Sequence, residues 1–199
     1  MRTRGPHRPG TQTLSRRQQI VRAGLAAFSS AGFHGASLRD IATRAGLSQA
    51  GLLHHYPSKE RLLRAVLSWR DDKTCRQLGD PPPDGLDLIR RLVAPSTAAR
   101  AREFVQLDVI VSAEGTAADY PVHGYVLERR ARVLETVRVA FERAAAAGEL
   151  RSDIDCATAA RTVVALMDGL HLQWLLRPDA ADVEGDLRRC LRPWLTTDL

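Results

Sequence analysis

The chain has 199 residues, of which 44% are apolar, and a formal net charge of +6 at pH 7. This length and apolar content suit one or two globular domains with a buried core. No apolar run approaches the roughly 20 residues of a membrane-spanning helix, and residues 1–10 lack the apolar segment of a secretion signal, so we expect a cytoplasmic protein without a membrane partner.

The excess positive charge lies in the N-terminal part of the chain. Residues 1–60 contain nine Lys and Arg residues against two acidic residues, whereas the remainder contains 20 basic and 21 acidic residues. A local excess of this kind is typical of a nucleic-acid-binding surface. We therefore expect an acidic partner to bind near the N-terminus.

Residues 1–14 form a basic arm rich in Arg, Gly, Pro and Thr. Because the arm contains almost no apolar residues, we expect it to be disordered in the free protein. Arg2, Arg4 and Arg8 either follow a phosphate backbone or enter a minor groove, or they belong to a solvated tail, which the composition favours.

The first helix is expected to begin after Ser15, which has Gln18 three residues later in a capping-box pattern. Apolar residues then recur at helical spacing until Gly32, which should end the helix. Phe33 follows this glycine, and we expect its ring to lie in a small core formed with the next two helices.

Residues 37–59, SLRDIATRAGLSQAGLLHHYPSK, have the pattern of two short helices joined by a tight turn. Ser37 and Ser48 are good N-caps, and Gly46 suits a turn that needs a positive φ. Pro57 is expected to end the second helix, and Ser58 to cap the next one. The pattern predicts a helix-turn-helix, although an ordinary helical hairpin with a solvated polar face has the same signals.

With its leucines buried, the second short helix exposes polar and small residues, as suits a helix in a major groove. Gln49 can both donate to and accept from an adenine edge. Arg39 on the first short helix and Lys59 after the second are placed to hold phosphates on either side.

The rest of the chain has only helical patterns. A helix runs from Ser58 to about Arg70, and the DPPPDG sequence at residues 80–85 then interrupts the chain. Further patterns cover residues 86–93, 104–111 and 126–144, with ends near Pro95, Gly115 and Gly148. No segment has the alternation of a strand, so we expect an all-α fold.

The helical pattern from Asp155 to Leu176 contains more apolar residues than one face can hold, and a final helix from about Val183 to Trp194 could join it. One side would close the domain core, and the other would pair with the same helices of a second subunit about a two-fold axis. Burial within a single subunit is the alternative. The dimer-interface candidates are Val164, Leu172, Leu175, Leu187, Leu191 and Trp194.

Three motifs, AFSSAGFHGASL, DIATRAGLS and HHYPSKERLL, together resemble the N-terminal domain of the tetracycline-repressor (TetR) family of bacterial transcriptional regulators. The resemblance covers residues 15–67, and MDGLHLQWLLRP is similar to a C-terminal helix of the family. The chain departs from the family at Gly51, where Thr or Asn is common, and at Leu53, where an aromatic residue is common. By position, the resemblance implies DNA contacts from Ser37, Arg39, Ser48, Gln49, Ala50, His54, His55 and Lys59.

The resemblance also implies a fold and a mode of action. The expected fold is an N-terminal three-helix helix-turn-helix DNA-binding domain over residues 15–60 and a C-terminal helical ligand-binding and dimerisation domain over residues 61–199. A dimer would address two half-sites roughly 34–36 Å apart, so a near-palindromic operator is expected. The expected function is a repressor that a small molecule releases; the alternative is an all-helical ligand-binding or adaptor protein with a non-functional DNA reader.

By the same resemblance, an unidentified small molecule should bind among the helices after Ser58. Asp108 interrupts an apolar stripe there, so its carboxylate either receives a cationic group or a hydroxyl of the ligand or pairs with an arginine. The pocket candidates are Trp69, Phe104, Asp108, Val111, Met167, His171 and Trp174.

The sequence has no nucleophile elbow, glycine-rich phosphate loop, HExxH motif or paired-cysteine site. We therefore predict that the protein is not an enzyme and holds no metal or other cofactor. His54 and His55 are adjacent and point in different helical directions, which does not suit a shared metal. The three cysteines are far apart and odd in number, as expected of reduced packing residues.

Overall fold

The computed structural model describes residues 15–80, 83–93 and 99–197. The basic arm and Pro95 lie outside these residues. In chain order the helices are α1 (Arg16–Gly35), α2 (Leu38–Arg44), α3 (Gln49–His55), α4 (Lys59–Leu78), α5 (Gly85–Val93), α6 (Ala99–Glu114), α7 (His123–Ala146), α8 (Cys156–Leu176) and α9 (Val183–Leu191). The described residues contain no β-strand beyond a single antiparallel bridge between Leu150 and Leu195, so the all-α prediction is confirmed.

Serine side chains begin the first four helices, as the sequence predicts. Ser15 and Gln18 form a reciprocal capping box. The hydroxyls of Ser37, Ser48 and Ser58 accept backbone hydrogen bonds at the starts of α2, α3 and α4. Each hydroxyl satisfies an N–H group that the helix itself leaves without a partner.

Gly46 adopts the positive φ that the sequence predicts, and Gly32, which was predicted to end the first helix, also has a positive φ. Gly46 has a φ of 67° in the turn between α2 and α3. Gly32 has a φ of 66° and a ψ of −172°, which interrupts the regular part of α1 three residues before its last residue, Gly35. The chain therefore changes direction at Phe33, before α2 begins.

The first apolar cluster joins the helix-turn-helix to the rest of the molecule. Phe28, Phe33, Ile41 and Leu52 are buried there together with residues of α4. Leu107 on α6 belongs to the same cluster, and α1 packs against α6 as well as α4. The predicted domain boundary at residue 60 lies in the first turn of α4, a helix that continues to Leu78 and so extends beyond the predicted end near Arg70.

The second apolar cluster contains the inward faces of α5, α7, α8 and α9. Leu187 and Leu191 on α9 are 1% and 0% exposed, and Val164 on α8 is also buried within the same chain. Their assignment to a dimer interface is therefore wrong: the apolar stripe of α9 packs inward against α8, and its outer residues, such as Arg189 and Cys190, are exposed. Trp194 packs on Phe141 in this cluster, with ring centroids 6.4 Å apart.

Exposed apolar side chains remain on α7 and α8. Leu172 and Leu176 on α8 are 45% and 73% exposed, and Leu127 and Val133 on α7 are exposed as well. Ala165, Gly169, Leu172 and Leu176 follow one another at spacings of four, three and four residues, which places them on one side of α8. We refer to this surface, Leu127 and Val133 with those four residues of α8, as the α7–α8 face.

Candidate functional site

The α2–α3 pair is held in a fixed geometry by its turn and its buried side. The N–H of Gly46 donates to the carbonyl of Thr43 at 3.0 Å, and the N–H of Leu47 donates to the carbonyl of Ala42 at 2.9 Å. Ile41 and Leu52 are fully buried beneath the two helices. Because these inward contacts fix both helices on the core, the outward residues of α3 have a defined presentation.

Most of the predicted DNA contacts lie on the outward surface. Arg39, Ser48, Gln49, Ala50 and His54 are exposed. Ser37 and His55 are half-buried, and the hydroxyls of Ser37 and Ser48 are already used as helix caps. This surface offers one amide, imidazole rings and small residues, which are compatible with base edges and phosphates.

The ammonium group of Lys59, another predicted DNA contact, also has partners within the chain. Its Nζ atom donates to the carbonyl of His34 at 3.3 Å and lies 4.7 Å from the centroid of the Phe33 ring. These contacts join the first turn of α4 to the end of α1. A phosphate contact from Lys59 stays a prediction, and binding would require the ammonium group to share or leave these partners.

A second connection at the end of α1 involves Glu114, the last residue of α6. The N–H of Phe33 donates to both carboxylate oxygens, at 3.2 and 3.0 Å, and the hydroxyl of Tyr120 donates to Oε2 at 2.9 Å. The rings of Phe33 and Tyr120 meet edge to face. Burial raises the pKa of Tyr120 above its ordinary value, and the hydrogen bond to Glu114 and its negative charge act in the same direction.

We call the contacts of Glu114 with Phe33 and Tyr120 the α1–α6 junction. This junction could not be predicted from the sequence, because 81 residues separate Phe33 from Glu114. No local pattern reports such a contact. The available signals were a glycine that needs a positive φ and an acidic residue at the C-terminus of an apolar helix, where the helix dipole disfavours negative charge.

A cavity of about 920 Å³ lies among α4, α5, α6, α7 and α8, between the two apolar clusters. This volume is in the range of small-molecule sites. Four predicted pocket residues line it: Phe104, Asp108, Met167 and His171.

The other three predicted pocket residues are not among those that line this cavity, so their contact with a ligand stays a prediction. Val111 is buried in the first apolar cluster, and Trp69 packs edge to face on Phe104. Trp174 is buried in the second cluster beneath the guanidinium group of Arg102. Helical spacing placed these residues on helices that surround the cavity but did not predict their packing into the two apolar clusters. Val164 and Leu172, predicted at the dimer interface, do line the cavity.

Four charged residues from three helices form a network at the cavity wall. Arg129 on α7 donates through Nε to both carboxylate oxygens of Asp71 on α4, at 3.0 and 2.9 Å. Its Nη2 lies 3.1 Å from Oδ1 of Asp108 on α6, a contact of opposite charges that lacks hydrogen-bond geometry. Arg70 on α4 pairs with both Asp71 and Asp108.

Asp108 pairs with two arginines of its own chain, which is one of the alternatives that the sequence left open. Burial disfavours the charge on Arg129, but Asp108 and Asp71 outweigh it and raise the pKa of the guanidinium group. We call these four residues, Arg70, Asp71, Asp108 and Arg129, the charge network. It connects α4, which begins at the helix-turn-helix, to α6 and α7.

Comparison with known proteins identifies both halves of the chain. The model of bacterial regulatory proteins of the tetR family matches residues 20–66. The model of the C-terminal domain of BetI-type transcriptional repressors matches residues 86–196, more than half of the chain. The chain belongs to the TetR family. It is therefore a helix-turn-helix transcriptional regulator, and the resemblance drawn from the motifs of residues 15–67 is confirmed.

Individual TetR-family relatives match over nearly the whole chain. The HTH-type transcriptional regulator TtgR of Pseudomonas putida is 27% identical over 195 residues, covering 92% of this chain and 89% of its own. A regulator of Saccharomonospora viridis solved with choline has a TM-score of 0.69 at 23% identity, covering 91% of this chain and 98% of its own. The SmeT–triclosan complex has a TM-score of 0.73 at 23% identity, covering 91% and 92%.

The relatives of this TetR-family chain are regulators rather than enzymes. Among the described residues, no group of three or more His, Cys, Asp or Glu side chains has a geometry that suits a metal ion. In the same part of the chain, no helix combines the length and apolar character needed to cross a membrane.

Proposed function

We propose that this regulator is a repressor that binds a near-palindromic operator as a homodimer and leaves it when a small molecule occupies the cavity. The observation that carries this proposal is the position of the cavity between α4 and α6. The first turn of α4 contacts the end of α1 through Lys59, and the last residue of α6 contacts it through Glu114. Two of the helices that line the cavity, α4 and α6, therefore also hold the α1–α2 connection.

The DNA contacts are proposed for the exposed surface of α2 and α3. Gln49 would read a base edge, whereas Arg39 and Lys59 would contact phosphates on either side. Ser37, Ser48, Ala50, His54 and His55 complete the proposed contact surface. The match to a BetI-type repressor domain supports repression as the direction of regulation.

The α7–α8 face supports the proposed homodimer. Exposed leucines at regular spacing on α8 form an apolar stripe, and a monomer would leave this stripe in water. Pairing α7 and α8 with their copies would bury the stripe about a two-fold axis. Leu172 and Leu175 are retained as proposed interface residues, with Leu175 half-buried at the edge of the face.

The small-molecule part of the proposal is supported by the cavity and by related folds. Structures of similar fold have been solved with choline and with triclosan. A ligand releases DNA only if it binds more tightly to the subunit arrangement that does not fit the operator. A ligand in the cavity would contact α4 and α6, and the ends of these helices contact the α1–α2 connection. Through these ends, the ligand would change the arrangement of the two DNA-binding regions in the dimer.

A titration of the full-length protein with a labelled fragment from upstream of its own gene tests the proposal. We expect saturable binding that weakens steeply with salt, because phosphate contacts release counterions. Gln49→Ala should lose about 1–3 kcal/mol of binding free energy on the cognate fragment and little on unrelated DNA. Gln106→Ala on α6, which does not line the cavity, is the matched control. Equal binding of cognate and unrelated DNA by the wild-type protein would contradict the proposal.

A further inference from the structure

The residues lining the cavity include more arginines than carboxylates. Among the described residues, its wall includes Arg70, Arg91, Arg129 and Arg130 but two acidic residues, Asp108 and Asp168. Three of these arginines have acidic partners. Arg70 and Arg129 belong to the charge network, whose two arginines and two aspartates cancel, and Arg130 pairs with Asp168.

Arg91 on α5 is the arginine that remains uncompensated. The hydrogen bond of its guanidinium group is donated to the backbone carbonyl of Leu78, and no ion pair connects it to a carboxylate within the described residues. A guanidinium group has five N–H donors arranged to match a carboxylate in two parallel bonds. One carbonyl acceptor therefore leaves most of this donor set available at the exposed rim of the cavity.

A cationic ligand would find no comparable partner in the cavity. Asp108 lies against two arginines, and Asp168 receives two hydrogen bonds from Arg130. A bound cation would have to displace a guanidinium group from one of these carboxylates. It would also lie near an arginine-rich wall without a free counter-charge.

The remaining wall of the cavity is apolar. It includes Leu92 on α5, Val105 and Val109 on α6, Val133 on α7 and Met167 on α8. His171 adds a polar group without adding charge near neutral pH, because burial lowers the pKa of its imidazole. The complementary molecule has an apolar body that fits these side chains and one negative group at the rim.

From this arrangement we infer that the cavity binds a small organic anion, with an apolar body between α6, α7 and α8 and a carboxylate bound by Arg91. This inference rests on the proposed function and specifies the class of the effector. The anion leaves the charge network intact, because its partner is Arg91, which has no acidic partner in the part of the chain that the structure describes.

Calorimetric titration of the full-length protein without DNA tests the inference with three probes of one shape. The probes are 4-phenylbutyrate, the uncharged 4-phenylbutanol and the cationic 4-phenylbutylamine at neutral pH. We expect the carboxylate to bind about tenfold more tightly than the alcohol, since a charge-assisted pair is worth more than a neutral contact. The amine should bind most weakly.

Two neighbouring variants separate the proposed contact from a general charge effect. Arg91→Met keeps the length of the side chain and should abolish the preference for the carboxylate. Arg90→Met removes the same charge one residue earlier on α5, where the guanidinium group pairs with Asp87 and does not line the cavity, and it should keep the preference. Thermal unfolding of both variants verifies that they fold.

Three outcomes would overturn the inference: an amine that binds as tightly as the carboxylate, an unchanged preference in Arg91→Met, or the absence of binding by the carboxylate. None of these outcomes depends on operator binding. Conversely, 4-phenylbutyrate could bind through Arg91 and leave an operator complex intact. That result would support the inferred class of ligand and contradict the proposal that this ligand releases the operator. A separate operator titration therefore distinguishes the two proposals.

Discussion

At Gly32 the backbone has a φ of 66° and a ψ of −172°, a region that essentially only glycine adopts. This conformation directs the N–H of Phe33 to the carboxylate of Glu114. A Cβ atom at residue 32 would collide with that carboxylate. One residue without a side chain thus permits the α1–α6 junction.

The first prediction is that Gly32→Ala destabilises the protein by about 1–3 kcal/mol or more, because it combines backbone strain with loss of the junction. Gly124→Ala is the matched control, since Gly124 lies in α7 with open space around it. Chemical denaturation of both variants gives the free energies of unfolding. Equal stability of the two variants would contradict the importance assigned to Gly32.

The second prediction concerns His171 at the cavity wall. Burial lowers the pKa of this imidazole from its ordinary value of 6.5, and Asp108 and Asp168 offset the effect only partly. As the pH falls below 6.5, His171 binds a proton in the unfolded chain at a higher pH than it does in the folded chain. The contribution of neutral His171 to stability is therefore present above pH 6.5 and is lost as the pH falls.

His171→Gln should therefore lose less stability than the wild-type protein when the pH is lowered from about 7.5 to about 5.5. Urea denaturation at both pH values measures this difference. The two proteins are compared by their change with pH, so a constant loss of stability in the variant does not affect the result. Parallel changes in both proteins would show that His171 does not contribute.

At the scale of helices, the charge network holds α4 against α6 and α7. Removing one of its arginines would leave two half-buried carboxylates that share a single guanidinium group. The uncompensated negative charge that remains costs more than the intact pair contributes. The network also contains an unsatisfied group, because Nε of Arg70 is buried without an acceptor among the described residues. We therefore expect the free energy of unfolding of the protein to depend strongly on each residue of the charge network.

The third prediction is that Arg129→Met lowers the free energy of unfolding by about 2–3 kcal/mol. Arg138→Met on the same helix is the control, because its pairs with Glu135 and Glu142 lie at the surface and should contribute little. Denaturation of both variants measures the difference. A loss in Arg138→Met as large as that in Arg129→Met would contradict the distinction.

The sequence predicted the local features of these helices well. Ser15, Ser48 and Ser58 cap helices because capping depends on residues three positions away, and Gly46 adopts its positive φ for reasons local to the turn. Long-range partners were not predictable in this way. Nothing in the sequence around Asp108 indicates that Arg129 rather than another arginine approaches it.

The same reasoning explains the wrong assignment of α9. Leu187 and Leu191 form an apolar stripe, and a stripe predicts burial without saying whether the covering surface belongs to the same chain or to a partner. The structure answers this question through α8, which covers α9 within one chain.

For the whole molecule, the main feature is a DNA-binding region that shares its core with the following helices. The first apolar cluster contains Phe28 and Ile41 of the DNA-binding region together with Leu107, Val111 and Val122 from the following helices and loop. We therefore expect the helix-turn-helix to unfold together with α6 rather than as an independent unit.

The fourth prediction concerns assembly through the α7–α8 face. Leu172→Glu combined with Leu176→Glu should convert the proposed dimer into monomers, because the substitutions place charges in an apolar contact. Light scattering after size-exclusion chromatography measures the mass. Ala118→Glu, in the exposed loop between α6 and α7, should leave the mass unchanged. A dimer that persists in the double variant would place the interface elsewhere.

The cavity separates the two apolar clusters, with Phe104 packed against the first and Val105, Val137 and Met167 belonging to the second. A ligand with an apolar body would fill this gap and give both clusters a common neighbour. A ligand that binds only the folded chain adds about 2.7 kcal/mol at a concentration of 100 times its Kd. Occupancy of the cavity should therefore raise the melting temperature of the DNA-binding helices and of the C-terminal helices alike. Thermal unfolding of the protein without operator DNA can then identify an effector.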